Sequence, residues 1–236
     1  MNRRLLLRAV LILLVGGAAL AAVLASLYMA REREARETAQ VLTGKTFAEP
    51  GQVPIGGPFT LVDHIGRTVT EKDFGGRYLL VFFGFSNCPD VCPTTLGDIA
   101  SALDLLGAEA DAVQPLFVSL DPERDTPERL AEYVAAFHPK IVGLTGTAEQ
   151  IAAVAKEYRA FYEKVSAASY YAQEIGGADD KSAPGDDYLI SHQGNTYLMS
   201  PKSEYLTHFT YGTKPEEMAK TVRKAIAKFG NPAAEK

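Results

Sequence analysis

The stretch that decides the fold runs from Tyr78 to Cys92 and reads YLLVFFGFSNCPDVC. Its first half, Tyr78–Phe85, is a continuous apolar and β-prone run, which predicts a central strand buried on both faces. Its second half places Cys88 and Cys92 four residues apart, directly before a helix predicted over Thr94–Leu106. At the start of a helix, positions i and i+4 lie on one face, so the two thiols can converge on one centre.

Cys88 and Cys92 are the only cysteines among the 236 residues, and their close spacing argues against a role as ordinary apolar residues of the core. A structural disulfide formed after export would close so short a loop that it would add little stability by chain entropy. The remaining interpretations are a metal-binding thiolate pair and a redox dithiol. The positive end of a helix dipole favours the thiolate, which is the form that binds metal. With one imidazole added, two soft sulfur donors suit a soft cation such as Cu(I).

The rest of the chain predicts alternating strands and helices around this segment. The order is β-α-β-α-β-α, followed by a β-β hairpin and a last helix, which predicts a sheet covered by helices on both faces. A strand that ends in a dithiol at a helix N-terminus is the thioredoxin-like arrangement. We therefore predict an α/β, thioredoxin-like fold with a central mixed sheet and an N-terminal β-hairpin. The hairpin is predicted at 59–62 and 68–70, further strands at 114–120, 141–144, 188–190, 196–199 and 205–209, and further helices at 125–137, 149–163 and 215–229.

Charge and composition narrow the function classes. The net charge is −5, and residues 1–50 contribute +3 (seven Lys/Arg against four Asp/Glu), so the remaining residues carry −8. An acidic body with no basic stripe argues against nucleic acid as a partner. The apolar content of 47% is enough for a core that needs no disulfide.

A membrane anchor is predicted at the N-terminus. Ala9–Ala30 is a run of 22 uncharged residues preceded by three arginines, long enough to cross a bilayer as a helix. The positive-inside tendency leaves residues 1–8 in the cytoplasm and exports the body. A cleaved signal peptide is the alternative, but the apolar run is longer than a usual signal sequence. We therefore predict a bacterial inner-membrane protein with a linker at 31–50, a periplasmic domain at 51–230 and a tail at 231–236.

Three segments together resemble the Sco/SenC family, the copper-binding proteins of cytochrome c oxidase assembly. Residues 84–93 (GFSNCPDVCP) look like the copper motif of the family, and 118–127 (VSLDPERDTP) are similar to its second signature. Residues 187–192 (DYLISH) resemble the segment that supplies its histidine ligand. The chain departs from the family at Asn87, where His is frequent, and at Ser191, where Asp is frequent. The stretch 167–186 is also longer than the usual connection.

This resemblance implies a ligand set and a partner. Cys88, Cys92 and His192 would bind one copper ion, as Cu(I) or Cu(II); nothing in the local pattern around His192 would otherwise single it out. Asp121 follows a strand that neighbours the cysteine strand, so it is either a turn residue or a carboxylate that orients the ligands. The acceptor implied is the binuclear copper site of cytochrome c oxidase subunit II, with an upstream copper donor or a thioredoxin-like reductant as a further partner.

We therefore expect a metallochaperone rather than an enzyme. The alternative is a thiol-disulfide oxidoreductase with Cys88 as nucleophile and Cys92 as resolving thiol. Against it, three residues separate the cysteines where the redox motif has two. Thioredoxin-type enzymes also have a cis-proline facing the dithiol, whereas the segment 191–193 (SHQ) contains no proline. A peroxiredoxin-like peroxidase would need a threonine three residues before its reactive cysteine, but Phe85 occupies that position before Cys88. A copper sensor would share the ligands, but no signalling domain is attached. The other histidines, His64, His138 and His208, are interpreted as structural.

Overall fold

The computed structural model describes residues 16–17, 20–33, 47–168 and 188–233. The chain divides into two units, Met1–Thr46 and Phe47–Lys236. In the first unit, residues 20–33 are helical and exposed. Within the described ranges, no helix combines the length and the apolar character that a membrane span requires. The predicted anchor, linker, tail and long connection all extend over residues outside the described ones.

A seven-stranded mixed sheet forms the body of the second unit. Its strands are β1 (Thr60–Asp63), β2 (Thr68–Thr70), β3 (Tyr78–Gly84), β4 (Val113–Ser119), β5 (Val142–Thr145), β8 (Thr196–Met199) and β9 (Tyr205–Phe209). Two strands outside this sheet are β6 (Tyr162–Ser166) and β7 (Tyr188–His192), and the longer α-helices of this unit are α1 (Val91–Leu106), α2 (Pro127–Ala135), α3 (Ala148–Glu157) and α4 (Pro215–Phe229). The strand order in the sheet is β2-β1-β5-β4-β3-β8-β9. Strand β3 pairs parallel to β4, which pairs parallel to β5, whereas β8 pairs antiparallel to β3 on its other side.

Strands β3 and β4 form the centre of the core, and every residue in each of them is buried. Successive side chains of a strand point to opposite faces, so complete burial means that both faces of the sheet are covered. The buried central strand predicted over Tyr78–Phe85 is therefore confirmed. Because β3 and β4 are parallel, their C-terminal ends, Gly84 and Ser119, lie side by side at one edge.

The predicted N-terminal hairpin is formed by β1 and β2, and a buried carboxylate holds its turn. Asp63 Oδ1 accepts hydrogen bonds from the backbone N–H groups of Ile65 (3.1 Å) and Arg67 (2.9 Å). Asp63 Oδ2 accepts one from Arg67 Nε at 2.8 Å. Burial opposes the charge, but these donors outweigh it and lower the pKa of Asp63.

The helix predicted over 149–163 is wrong in its second half. Helix α3 ends at Glu157, Arg159 adopts a positive φ of 53°, and the chain returns as β6. The composition through this stretch suits a helix and contains no Gly or Pro stop signal. Pairing with β7 overrides that local preference, with Tyr162 opposite His192. Consequently β7 lies in a separate two-stranded sheet with β6, and the hairpin that follows it is β8–β9.

Candidate metal centre

The two cysteines lie where β3 passes into α1. Helix α1 begins at Val91, three residues before the predicted start, so Cys92 lies in its first turn and Cys88 in the loop before it. Cys92 is fully buried and Cys88 is 7% exposed. Cys88 Sγ accepts the backbone N–H of Cys92 at 3.5 Å. The sulfur of Cys88 therefore lies at the positive end of α1, where a thiolate is favoured.

Strand β7 brings a histidine to the same place. His192 Nε2 lies 3.5 Å from Cys92 Sγ, although a hundred residues separate the two in sequence. The ligating atoms of Cys88, Cys92 and His192 all lie within 4.8 Å of one another. His192 Nδ1 is 3.1 Å from the carbonyl oxygen of Gln193. In the tautomer that a metal ligand requires, the proton is on Nδ1 and is donated to that oxygen, so the Nε2 lone pair faces the sulfurs.

Aromatic rings and one glycine shape the wall of the site. The ring centroids of Phe82 and Phe85 lie 6.1 and 5.9 Å from that of His192. Gly84 lies beside the sulfur, because a Cβ placed there would be 2.7 Å from Cys92 Sγ. The side of the site that faces the protein is thus apolar and tightly packed, whereas His192 is half-buried and Asp90 is exposed. Such a setting holds an ion on one side and leaves it accessible on the other.

The two thiols have very different acidities. The hydrogen bond from the Cys92 thiol lowers the pKa of Cys88 to about 4, against the effect of burial, and the His192 side chain contributes to the lowering. Burial raises the pKa of Cys92 well above its ordinary value, and the neighbouring Cys88 thiolate raises it further. Without metal, the pair at neutral pH is therefore a Cys88 thiolate beside a Cys92 thiol. A metal ion that binds both sulfurs must displace the proton of Cys92.

Asp121 does not belong to the group of converging ligand atoms. Its carboxylate is fully buried, accepts a hydrogen bond from the Tyr188 hydroxyl at 2.6 Å and forms an ion pair with Arg124. It therefore contacts the strand that carries His192. A role for Asp121 in orienting the metal ligands stays a prediction.

Asp125 is a residue whose environment the sequence did not reveal. The sequence predicts a helix that starts at Asp125, but Thr126 caps α2 by accepting a hydrogen bond from the Arg129 N–H, and Asp125 is fully buried. Its carboxylate accepts hydrogen bonds from Ser86 N–H (2.9 Å), Ser86 Oγ (2.5 Å) and Ser119 Oγ (2.5 Å). Ser86 lies two residues before Cys88. The signal available in sequence was the spacing of two acids, Asp121 and Asp125, immediately after a buried strand.

The remaining histidines each have a local partner. His64 Nδ1 accepts the N–H of Gly143, and His138 Nδ1 accepts that of Lys140. His208 Nδ1 lies 2.7 Å from the Tyr205 hydroxyl. These contacts agree with the structural interpretation of all three.

Comparison with known proteins yields one consistent result. The SCO1/SenC family profile matches residues 47–227. Protein sco1 of Schizosaccharomyces pombe is 35% identical over 203 residues, which cover 86% of this chain and 72% of that protein. The human mitochondrial SCO1 homolog is 37% identical over 193 residues, which cover 79% of this chain and 58% of that protein. The match to the human relative thus spans less than two thirds of that relative's length.

Solved structures agree in fold. The crystal structure of Arabidopsis thaliana ScoI with copper bound has a TM-score of 0.64 at 37% identity, covering 74% of this chain and 99% of that one. Bradyrhizobium japonicum ScoI with copper bound has a TM-score of 0.61 at 37% identity, covering 72% and 98%. The thioredoxin-like α/β fold predicted from the sequence is thereby confirmed.

Proposed function

Since the chain belongs to the SCO1/SenC family, we propose that it is a copper chaperone of cytochrome c oxidase assembly. Cys88, Cys92 and His192 hold one copper ion in this proposal. The observation that carries it is the convergence of two sulfurs and one imidazole nitrogen within 4.8 Å at an accessible edge of the sheet. The same family has members solved with copper bound.

The donor set fits copper chemically. Thiolates are soft ligands that select Cu(I), and imidazole binds copper in either oxidation state. Three protein ligands leave a coordination position open to an incoming ligand. An ion held in this way can move to an acceptor by exchange of one ligand at a time, and the half-buried His192 is the ligand nearest solvent.

We further propose that the acceptor is the binuclear copper site of cytochrome c oxidase subunit II and that the chain is anchored in a bacterial inner membrane. Support for the anchor comes from the uncharged run Ala9–Ala30 behind three arginines, which predicts a periplasmic domain. An anchor in the membrane of the acceptor raises the effective concentration of donor near it. An upstream copper donor or a thioredoxin-like reductant completes the proposed set of partners.

One observation favours a second function, that of a thiol-disulfide reductase for the cysteines of the acceptor. The lowered pKa of Cys88 and the raised pKa of Cys92 are the asymmetry expected of a nucleophile and its resolving thiol. In that reaction the Cys88 thiolate attacks one sulfur of the acceptor disulfide, breaks the S–S bond and releases the other acceptor sulfur as a thiolate. The Cys92 thiol passes its proton to the released thiolate and attacks the Cys88 sulfur of the mixed disulfide. The second acceptor sulfur then leaves as a thiolate, which takes a proton from solvent, and a Cys88–Cys92 disulfide remains.

The test is copper binding by the full-length chain, solubilised in mild detergent and loaded anaerobically with Cu(I). We expect one copper per chain, lost in Cys88→Ala and Cys92→Ala. In His192→Ala the affinity should fall by more than the ~10–100-fold loss typical of an outer-shell partner. His138→Ala is the matched control and should bind like the wild type, because its ring contacts Lys140 and Asp104. If the wild type binds no copper but its dithiol exchanges readily with glutathione, the chaperone proposal is wrong and the reductase proposal takes its place.

A further inference from the structure

A short turn after β4 connects the two halves of the candidate site. It runs from Ser119 to Asp125, and two of its carboxylates, Asp121 and Asp125, are fully buried. The turn closes on itself, since Asp125 N–H donates to the Asp121 carbonyl at 2.9 Å. It is joined to the cysteine strand by the Leu120 N–H, which donates to the Gly84 carbonyl at 2.7 Å. A buried carboxylate is stable only where hydrogen-bond donors compensate for its lost hydration, so the donors to Asp121 and Asp125 show what holds the turn in place.

Asp125 faces the loop that carries Cys88. It accepts both the backbone N–H and the hydroxyl of Ser86, and Arg129 Nε donates to the same hydroxyl at 2.6 Å. Arg129 Nε also lies 3.7 Å from the Asp125 carboxylate. Ser86 is thus held from two sides, two residues before the first thiolate.

Asp121 faces the strand that carries His192. It binds the hydroxyl of Tyr188, the first residue of β7, and pairs with Arg124. Arg124 in turn donates to the Tyr188 carbonyl at 3.0 Å, and its guanidinium carbon lies 3.7 Å from the centroid of the Tyr188 ring. Tyr188 is therefore bound by its hydroxyl, its ring and its backbone to the turn.

Strand β6 closes the assembly from the other side. Lys164 pairs in register with Ile190, and its ammonium lies 4.4 Å from the centroid of the Tyr188 ring. The same ammonium is 2.7 Å from a carboxylate oxygen of Glu123 in the turn. Both strands of the two-stranded sheet are thus connected to the turn between Ser119 and Asp125.

We propose that this turn is a positioning element that sets the separation between the thiolates and the imidazole, an inference that rests on the copper site proposed above. Asp125 fixes the cysteine half through Ser86. Asp121 and Arg124 fix the histidine half through Tyr188, a positioning residue that acts through His192. The paired strand from Tyr188 to His192 spans about 13 Å at ~3.3 Å per residue. A shift at Tyr188 is therefore passed along a short, paired strand to the imidazole.

A pair of mutant cycles tests which half each residue serves. We expect Tyr188→Phe to weaken Cu(I) binding by about tenfold, the scale of a lost outer-shell partner. In a His192→Ala background the same change should have no further effect on affinity, because the group it positions is absent. Ser86→Ala should weaken copper binding equally with and without His192, because it acts through the cysteines. Equal losses from Tyr188→Phe in both backgrounds would overturn the inference, since general destabilisation predicts that result.

Tyr78→Phe is the matched control. The Tyr78 hydroxyl is also buried and donates to the Gly230 carbonyl at 2.8 Å, at the opposite end of β3 from the cysteines. Tyr78→Phe removes a buried tyrosine hydroxyl, as Tyr188→Phe does. This variant should therefore lower the free energy of unfolding without changing the affinity for copper. A tenfold loss of affinity in Tyr78→Phe would also count against the inference.

Hydrogen exchange of the metal-free full-length chain gives a readout independent of copper. Tyr188→Phe should speed exchange of the β7 amides by about tenfold, since a bond to a charged acceptor is lost. Exchange in α1 should stay unchanged. Unchanged exchange in β7 would refute the positioning role even if copper binds. A wild type that fails to bind copper would refute the proposed function, while the exchange result would still decide whether the turn holds β7.

Discussion

Gly84 lies so close to the Cys92 sulfur that a single added methyl group should disturb the site. In Gly84→Ala the new Cβ would lie 2.7 Å from Cys92 Sγ, 2.8 Å from Phe117 Cε2 and 3.2 Å from Phe82 Cε1. Carbon atoms normally pack at about 3.5–4.0 Å and sulfur is larger than carbon, so the contacts with Phe117 Cε2 and Cys92 Sγ are both short by roughly 0.7 Å or more. These neighbours are fully buried, which leaves little room for them to retreat.

The free energy of unfolding should fall by about 2 kcal/mol in this variant. Overpacking a well-packed core costs about 1–3 kcal/mol, and the several simultaneous contacts put Gly84→Ala near the top of that range. Replacing glycine also removes freedom from the unfolded chain, which returns about 0.4–1 kcal/mol. For a domain of this size, ~2 kcal/mol corresponds to a fall in Tm of about 4–8 °C.

Urea denaturation of the reduced, metal-free chain measures this loss, and Gly97→Ala is the matched control. Gly97 lies inside α1, and a Cβ there meets nothing within 4 Å beyond its own helix. The same substitution should therefore stabilise the protein by about 0.5–1 kcal/mol through helix propensity. Because Cys92 Sγ must move, Gly84→Ala should also weaken Cu(I) binding. A Gly84→Ala variant as stable as the wild type, with unchanged copper affinity, would refute the packing argument.

Three further predictions concern single charged groups. Because the pKa of Cys88 is lowered to about 4, its alkylation rate in the reduced, metal-free protein should stay nearly constant from pH 8 to pH 5, as followed by mass spectrometry; a tenfold fall per pH unit would mean an ordinary thiol. Asp125→Ala should cost about 1–3 kcal/mol in urea denaturation, because the Ser86 and Ser119 donors lose their acceptor, and a loss below 0.5 kcal/mol would contradict the contacts described. Asp63→Asn should destabilise by about 1–3 kcal/mol at pH 7. Because the pKa of Asp63 is lowered in the folded state, this stabilisation is present above the pKa of the unfolded state, near 4, and is lost as the pH falls through the folded pKa. A difference in the free energy of unfolding between Asp63→Asn and wild type that grows below pH 4 would contradict the assignment.

Local pattern was sufficient for the centre of the fold. The run Tyr78–Phe85 is apolar at every position that enters β3, so burial on both faces follows from the sequence itself. Helix α4 was predicted with its observed bounds, Pro215–Phe229, because a proline opens it and its apolar positions follow the helical period. The cysteine pair was singled out by its spacing in the same way.

Long-range pairing was not visible in the sequence. The composition of strand β6 is that of a helix end. Its partner β7 lies beyond residues 169–187, so the conformation of β6 depends on a contact that local sequence patterns do not show. The position of His192 depends on that pairing, and only the family resemblance pointed to it. The sequence also did not reveal the hydrogen-bond donors of Asp121 and Asp125, because strand ends that meet in space decide which donor each carboxylate finds.

The cysteines and the histidine of the site are positioned by different sheets, so a copper ion held by all three, as proposed above, would connect the two sheets. Cys92 follows the seven-stranded sheet, whereas His192 ends the two-stranded one. An ion bound to both is a reversible cross-link between them, and a ligand that binds only the folded state stabilises what it joins by mass action. In the function proposed above, the copper-bound and copper-free forms would then differ in how firmly β6 and β7 are held. A partner that contacts those strands would be able to distinguish the two forms.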